Sequence, residues 1–239
     1  MSRQVELLII GHRGASADHP ENTVDAFRGA REQGADWVEL DVRATVDGTL
    51  IVHHDPWYRD RRTVWSVPAA DVPEGVVDLV TALDACAGMG VNVEIKNSPG
   101  DLGGEDVPRS LDVADRVAEL LAAREAAGLD QPVLVSSFDL PTIDRVREVG
   151  SGIPTGYLVF DLTEDPDAVR RAADHGHDAL HPWDATVTAE LVAACRDLGL
   201  LLNTWTVDDP ARIVELADLG VDGIVTNVPA IASAALGRT

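Results

Sequence analysis

Short apolar runs alternate along the chain with segments whose apolar residues recur every three or four positions. These are the periodicities of buried strands and of amphipathic helices. Runs at residues 5–10, 36–42, 91–96, 133–137, 155–160, 179–181, 200–207 and 223–226 read as strands. Helices are predicted from 24 to about 34, over 79–87 and 109–127, and at 141–149, 165–175, 188–198, 210–219 and 229–236. In the first helix Val24, Phe27 and Ala30 share a face, and Asn22 or Thr23 can cap it by accepting a free backbone N–H. Val113, Val117 and Leu120 form one stripe, and Ile213, Leu216 and Ala217 another. Pro141 falls at a tolerated first-turn position.

One further apolar run, 50–54, does not fit the alternation. The few residues between it and strand two cannot hold the crossover that a parallel neighbour needs. Asp47-Gly48 precedes it, a strong hairpin signal, because glycine accepts the positive φ of tight turns. The run therefore returns antiparallel and is not a barrel strand. Eight alternating strand–helix units remain, which predicts a (β/α)8 TIM barrel with a β-hairpin excursion after strand two; the alternative is a doubly wound open sheet. The least regular segments, 57–75 and 97–108, both leave the carboxyl end of a strand.

At 239 residues, 45% hydrophobic and 25% charged, the chain has globular composition and the length of one barrel. The expected organisation is a single domain over 1–239 with a short cap at about 57–75. A formal net charge of -22 argues against a general nucleic-acid binder, which needs a basic footprint. No apolar run approaches the ~18 residues of a spanning helix, so no stable membrane insertion is expected. The N-terminus reads as a first strand, not a signal peptide. Cys86 and Cys195 are isolated thiols in helical patterns, expected to be buried and reduced, which points to the cytoplasm. Nothing in the pattern specifies an oligomeric state.

Barrel active sites collect at the carboxyl ends of the strands. Residues i and i+2 of a strand share a face, so Glu39 and Asp41 point the same way. Symmetric pairing about Asp47-Gly48 places His54 roughly opposite Asp41 and turns His53 away. With Glu94 on strand three, three carboxylates from two neighbouring strands make a hard oxygen ligand set suited to Mg2+ or Ca2+. The ordinary alternative, internal ion pairs, must contend with the cost of burying carboxylates and the few cations available to pair them. His12, at the end of strand one, and His54 are candidates for acid and base. Arg13 and Lys96, the only lysine in the chain, would supply local positive charge for an anionic substrate.

Other residues divide between two readings. His181 stands evenly between substrate contact and rim packing, while His19, His175 and His177 read as surface residues. Trp57, Tyr58 and Trp65 interleave with Arg59, Arg61 and Arg62. Rim packing with solvated arginines is the preferred reading of that cluster, and a cap that draws in an anionic headgroup is the sharper one.

Taken together and in order, these motifs carry a resemblance. His12-Arg13-Gly14, Pro20-Glu21-Asn22-Thr23, Glu39-Leu40-Asp41, His54-Asp55-Pro56, Glu94-Ile95-Lys96, Trp205-Thr206-Val207-Asp208 and the 221–226 run resemble the glycerophosphodiester phosphodiesterase family over nearly the whole chain. The resemblance implies a metal-dependent hydrolase that converts a small-molecule glycerophosphodiester to an alcohol and glycerol phosphate. It implies Glu39, Asp41 and Glu94 as ligands of one divalent cation, Mg2+ or Ca2+, and His12 and His54 as the catalytic acid/base pair. It also implies Arg13 and Lys96 as phosphate contacts, with Trp205 lining the substrate pocket. The chain departs from the family pattern in its short segment 57–75, and in Asn227 where an aspartate is common. Two alternatives stand beside this reading: a related phospholipase acting on lysophospholipid or sphingomyelin headgroups, and a catalytically silent barrel that binds phosphorylated ligands.

Overall fold

The computed structural model describes residues 7–96, 110–150 and 152–238. Strands β1 (Leu8–His12), β2 (Trp37–Ala44), β4 (Gly90–Ile95), β5 (Val133–Ser137), β6 (Thr155–Val159), β7 (Ala179–Pro182), β8 (Leu201–Thr204) and β9 (Gly223–Thr226) form the barrel wall. All their pairings are parallel, and β1 pairs with both β2 and β9, which closes the barrel and excludes the open sheet. A helix follows each of the eight units: α1 (Val24–Glu32), α2 (Leu79–Ala85), α3 (Ser110–Ala126), α4 (Leu140–Val149), α5 (Ala168–Asp174), α6 (Ala189–Asp197), α7 (Pro210–Leu219) and α8 (Pro229–Ala235).

The period-two alternation of the strands divides the core from the site. On β2, Val38, Leu40 and Val42 face outward and pack with Phe27, Leu79 and Leu83 of the surrounding helices. Each such fully buried side chain contributes about 1.5–3 kcal/mol. The residues between them, Glu39 and Asp41, face the barrel interior, as do Asn92 and Glu94 on β4. Local chemistry starts the helices: Thr23, not Asn22, caps α1, its side chain accepting from the N–H of Ala26, and Asp209 does the same for Arg212 ahead of Pro210 on α7.

Strand β3 (Leu50–Val52) returns antiparallel along β2, as the loop length requires, but its register differs by one residue from symmetric pairing about Asp47-Gly48. Val42 pairs with Val52 and Ala44 with Leu50, so the residue across from Asp41 is His53, whose N–H donates to the Asp41 carbonyl at 2.9 Å. The loop has three residues, closed between Thr45 and Thr49, with Gly48 alone in the left-handed region at φ 79°. That is the longer hairpin type, with glycine at its last position, and it moves the axis of pairing from between Asp47 and Gly48 to Asp47 itself.

The cap holds two short 3-10 turns, and Ile51, Tyr58, Val64 and Val67 form a small satellite core beneath it. Arg59, Arg61 and Arg62 are exposed, and Arg62 pairs with Asp60 at 2.7 Å. The other irregular segment, 97–108, lies outside the described residues. Cys86 and Cys195 are buried and unbridged. Among the described residues no helix is long and apolar enough to cross a membrane.

Candidate active site

A cavity of about 260 Å³ opens at the carboxyl ends of the strands, and His12, Arg13, Glu39, His54, Glu94, Lys96 and Trp205 all line it. Asp41 lies just beneath, its oxygens facing Arg13 and Lys96. All eight residues singled out from the sequence therefore meet in one place.

The loop after β1 is built for this. Arg13 and Gly14 both adopt positive φ, 55° and 89°, and a Cβ on Gly14 would lie 2.5 Å from the α1 backbone. Only glycine fits there, and the tight bend turns the Arg13 N–H onto Glu39 Oε2 at 3.0 Å. The Arg13 side chain meanwhile reaches Asp41 Oδ2 at 3.1 Å and Glu21 at 2.8 Å. Lys96 Nζ lies 2.7 Å from Glu94 Oε1 and 3.4 Å from Asp41 Oδ1.

The three carboxylates are buried, and each has an oxygen within 4.8 Å of the others. Glu39 Oε1 makes no hydrogen bond, while Asp41 Oδ1 and Glu94 Oε1 face only the Lys96 ammonium. Burial, reinforced by the neighbouring Asp41 and Glu94 charges, holds the Glu39 carboxyl well above the usual carboxylate range. Burial raises Glu94 too, against the pull of Lys96. At Asp41 burial also acts upward, but Lys96, Arg13, His54 and the Asn22 hydrogen bond outweigh it and bring the carboxyl down to about 2. A buried, under-bonded acid trio short of positive charge fits a hard divalent cation, with Glu39, Asp41 and Glu94 as its oxygen donors.

Both histidines are held by Nδ1. Asn227 directs its amide nitrogen to Asp208 at 2.7 Å, which leaves Oδ1 to accept from Ser16 at 2.8 Å and to face His12 Nδ1 at 2.7 Å. His12 Nδ1 thus carries the proton, and its Nε2, 4.0 Å from Glu39, presents a lone pair. His54 Nδ1 bonds Asp55 at 2.9 Å in the same manner. Burial lowers the pKa of both rings.

His54 does not reach the cavity by strand parity. The ladder ends at Val52, and Arg43 takes over: its Nε and Nη2 donate to the His54 carbonyl at 2.9 and 2.7 Å, and its Nη1 to the Lys96 carbonyl at 2.7 Å. One buried guanidinium therefore fixes the chain ends that carry His54 and Lys96. His53, pairing with Asp41 through its backbone, turns its ring to Trp57 and Tyr58.

Sequence reasoning missed several contributors. Arg43 is one. Asn22 is another: buried, with φ 59°, it donates to Asp41 Oδ2 at 2.7 Å instead of capping the helix. Its place in the Pro20–Thr23 motif was the available signal. His181, which the sequence left between substrate contact and rim packing, lines the cavity from a buried position, bonded to Asn203 at 3.1 Å, and burial takes its pKa down to about 4. Trp205 was expected in the pocket, but the aromatic rim it shares with other rings was unforeseen. Phe138 lies edge-on to Trp205, and Phe160, 61% exposed, stacks on Trp183 at 5.5 Å. No residue of the 57–75 segment lines this cavity; Trp57, Arg59 and Arg61 instead border a neighbouring cleft with Glu21 and His53.

The chain is 30% identical to a glycerophosphodiester phosphodiesterase of Caldanaerobacter subterraneus subsp. tengcongensis, over 94% of this chain and 96% of the relative. Its fold superposes on the crystal structure of a glycerophosphodiester phosphodiesterase from Thermotoga maritima with a TM-score of 0.77, at 26% identity, covering 95% and 96% of the two chains. It also matches an Oleispira antarctica phosphodiesterase, solved in complex with the product sn-glycerol-3-phosphate, with a TM-score of 0.82 at 23% identity and 96% coverage of each chain. The profile of the glycerophosphoryl diester phosphodiesterase family matches residues 12–231, nearly the full barrel. The chain belongs to the glycerophosphoryl diester phosphodiesterase family.

Proposed function

We propose that the chain hydrolyses glycerophosphodiesters to an alcohol and glycerol phosphate, using His12 and His54 for proton transfer and one divalent cation held by Glu39, Asp41 and Glu94. The observation that carries this reading is the convergence of three under-bonded buried carboxylates and two Nε2-presenting imidazoles on one cavity. The family relationship supports the substrate class, and the Oleispira antarctica enzyme's bound sn-glycerol-3-phosphate supports the phosphate ester product.

The bound ion, Mg2+ or Ca2+, would supply charge for the phosphoryl oxygens and make a coordinated hydroxyl more acidic. The chain's own residues do the rest. Arg13 and Lys96 direct positive charge into an otherwise acidic molecule and orient the phosphodiester. One imidazole takes the proton from the attacking hydroxyl of glycerol or water through Nε2. The other, entering as the imidazolium, gives its Nε2 proton to the oxygen of the departing alcohol as its bond to phosphorus breaks. Where the attacking hydroxyl is that of glycerol, water then opens the cyclic phosphate to glycerol phosphate with the two proton roles reversed. Asn227 and Asp55 hold the two rings in register, and Trp205 and Phe138 screen the side of the cavity next to Lys96 from water. The whole chain, 1–239, acts as one phosphodiesterase domain, and its two unbridged thiols suit the reducing cytoplasm.

The exposed Phe160–Trp183 stack favours one second reading, a phospholipase that docks an acyl chain against the rim. Turnover of glycerophosphocholine set beside lysophosphatidylcholine separates the two. The primary reading expects the water-soluble diester to be preferred, and exclusive cleavage of the lysolipid would replace it.

A further inference from the structure

Far from the catalytic cavity, at the amino-terminal ends of β6 and β7, lies a second constellation of ligating side chains: Asp144 of α4 with His175 and His177 of the α5–β7 connection. The sequence suggests surface positions for both histidines. His175 is exposed, but His177 is only 5% exposed, sealed beneath α4.

Its buried ring is unusually placed. Nδ1 is engaged by Thr155 Oγ1 at 2.8 Å, and Nε2 points at Asp144 Oδ1, 3.2 Å away, without making a hydrogen bond there or to any other described group. His175 approaches the same carboxylate from outside, with Nδ1 2.9 Å from Oδ2 and 3.0 Å from Oδ1. The two imidazoles are stacked at 23° with centroids 6.1 Å apart, and both meet the same carboxylate. Two imidazole nitrogens and one carboxylate oxygen thus lie within 4.8 Å of one another.

We propose that Asp144, His175 and His177 form a binding site for a borderline divalent transition metal, Zn2+ first among them. A tetrahedral ion with ligand bonds of about 2.0–2.1 Å sets neighbouring donor atoms about 3.3 Å apart, close to the contacts seen. The Thr155 contact on Nδ1 is the kind of outer hydrogen bond that orients a ligating histidine and aims its other nitrogen at the ion. Arg147, whose charge is felt at His177, is turned toward Asp178, with Nη1 3.5 Å from Oδ2, and not toward the carboxylate of Asp144. With His175 and Asp144 partly open to solvent, the ion has an entry path and keeps a water as fourth ligand. Its role would be to clip α4 to the strand that carries His181.

The site differs from the acid trio in donor chemistry, and Co2+ distinguishes them. Tetrahedral Co2+ with nitrogen ligands absorbs strongly in the visible, whereas a six-coordinate oxygen site absorbs weakly. Chelator-treated protein titrated with Co2+ is expected to develop the strong band, and Zn2+ to displace it. His175→Ala, at an exposed position, is expected to weaken Co2+ binding ~10-fold or more, since even an outer partner of a ligand is worth that much. It should retain its fold by circular dichroism and its turnover of glycerophosphocholine. Glu94→Gln is expected to keep the band. Absence of the band in the unsubstituted protein, its survival in both His175→Ala and His177→Ala, or its loss in Glu94→Gln would each overturn the assignment.

Discussion

Replacing Lys96 with methionine removes one charge from the centre of the site while keeping most of the side-chain volume. The side chain is 14% exposed, and its ammonium lies against two buried carboxylates, 2.7 Å from Glu94 and 3.4 Å from Asp41. Without it, Arg13 alone faces three acids. Removing one partner of a buried ion pair costs about 3–5 kcal/mol, because the remaining charge is left unpaired in a poorly solvated place. That loss is expected in the presence of chelator, measured by urea unfolding followed by tryptophan fluorescence. A divalent ion on Glu39, Asp41 and Glu94 would replace the missing charge, so saturating Ca2+ or Mg2+ should shrink the deficit to about 1 kcal/mol. An equal deficit with and without the ion would refute the claim that these carboxylates share a cation.

Four further substitutions probe the proton-transfer groups and the floor of the site. His12→Ala and His54→Ala should each lower turnover ~10²-fold or more without loss of fold, and near-normal activity would remove the residue from the mechanism. Asn227→Asp places a carboxylate on the Nδ1 proton of His12, which favours the imidazolium and should move the limb of the pH–rate profile that His12 governs, the acidic one as base or the alkaline one as acid, to higher pH. An unmoved limb would show that this contact does not tune the ring. His181, with a pKa of about 4 in the fold against 6.5 when unfolded, is buried neutral. Its contribution is whole above pH 6.5 and is lost as pH falls toward 4, a total of about 3 kcal/mol. His181→Gln should flatten the fall in urea stability across that window, and parallel curves would contradict the burial argument.

The barrel was legible because each unit carries its own signals. The strand at Val133–Ser137, the helix at Pro210–Leu219 with Asp209 ahead of its proline, and the strand at Gly223–Thr226 all fall where local pattern puts them. The carboxylates were legible because period two is geometric. What escaped depended on long-range contacts. The hairpin register turned on whether the loop has two residues or three, which the Asp47-Gly48 pair does not decide. Arg43 looks like any strand arginine until the His54 and Lys96 carbonyls arrive at its guanidinium from separate segments. His177 sits between Gly176 and Asp178, a polar neighbourhood, and only the packing of α4 buries it.

Cation binding by the acid trio is the claim most directly open to test. The decisive measurement is release of the alcohol from glycerophosphocholine by protein stripped with chelator and then resupplied with Mg2+ or Ca2+, alongside Glu94→Gln and Asp41→Asn. Turnover should vanish on stripping, return with one of the ions, and fail to return in either variant. Turnover that survives chelation unchanged, or that both variants retain, would contradict it.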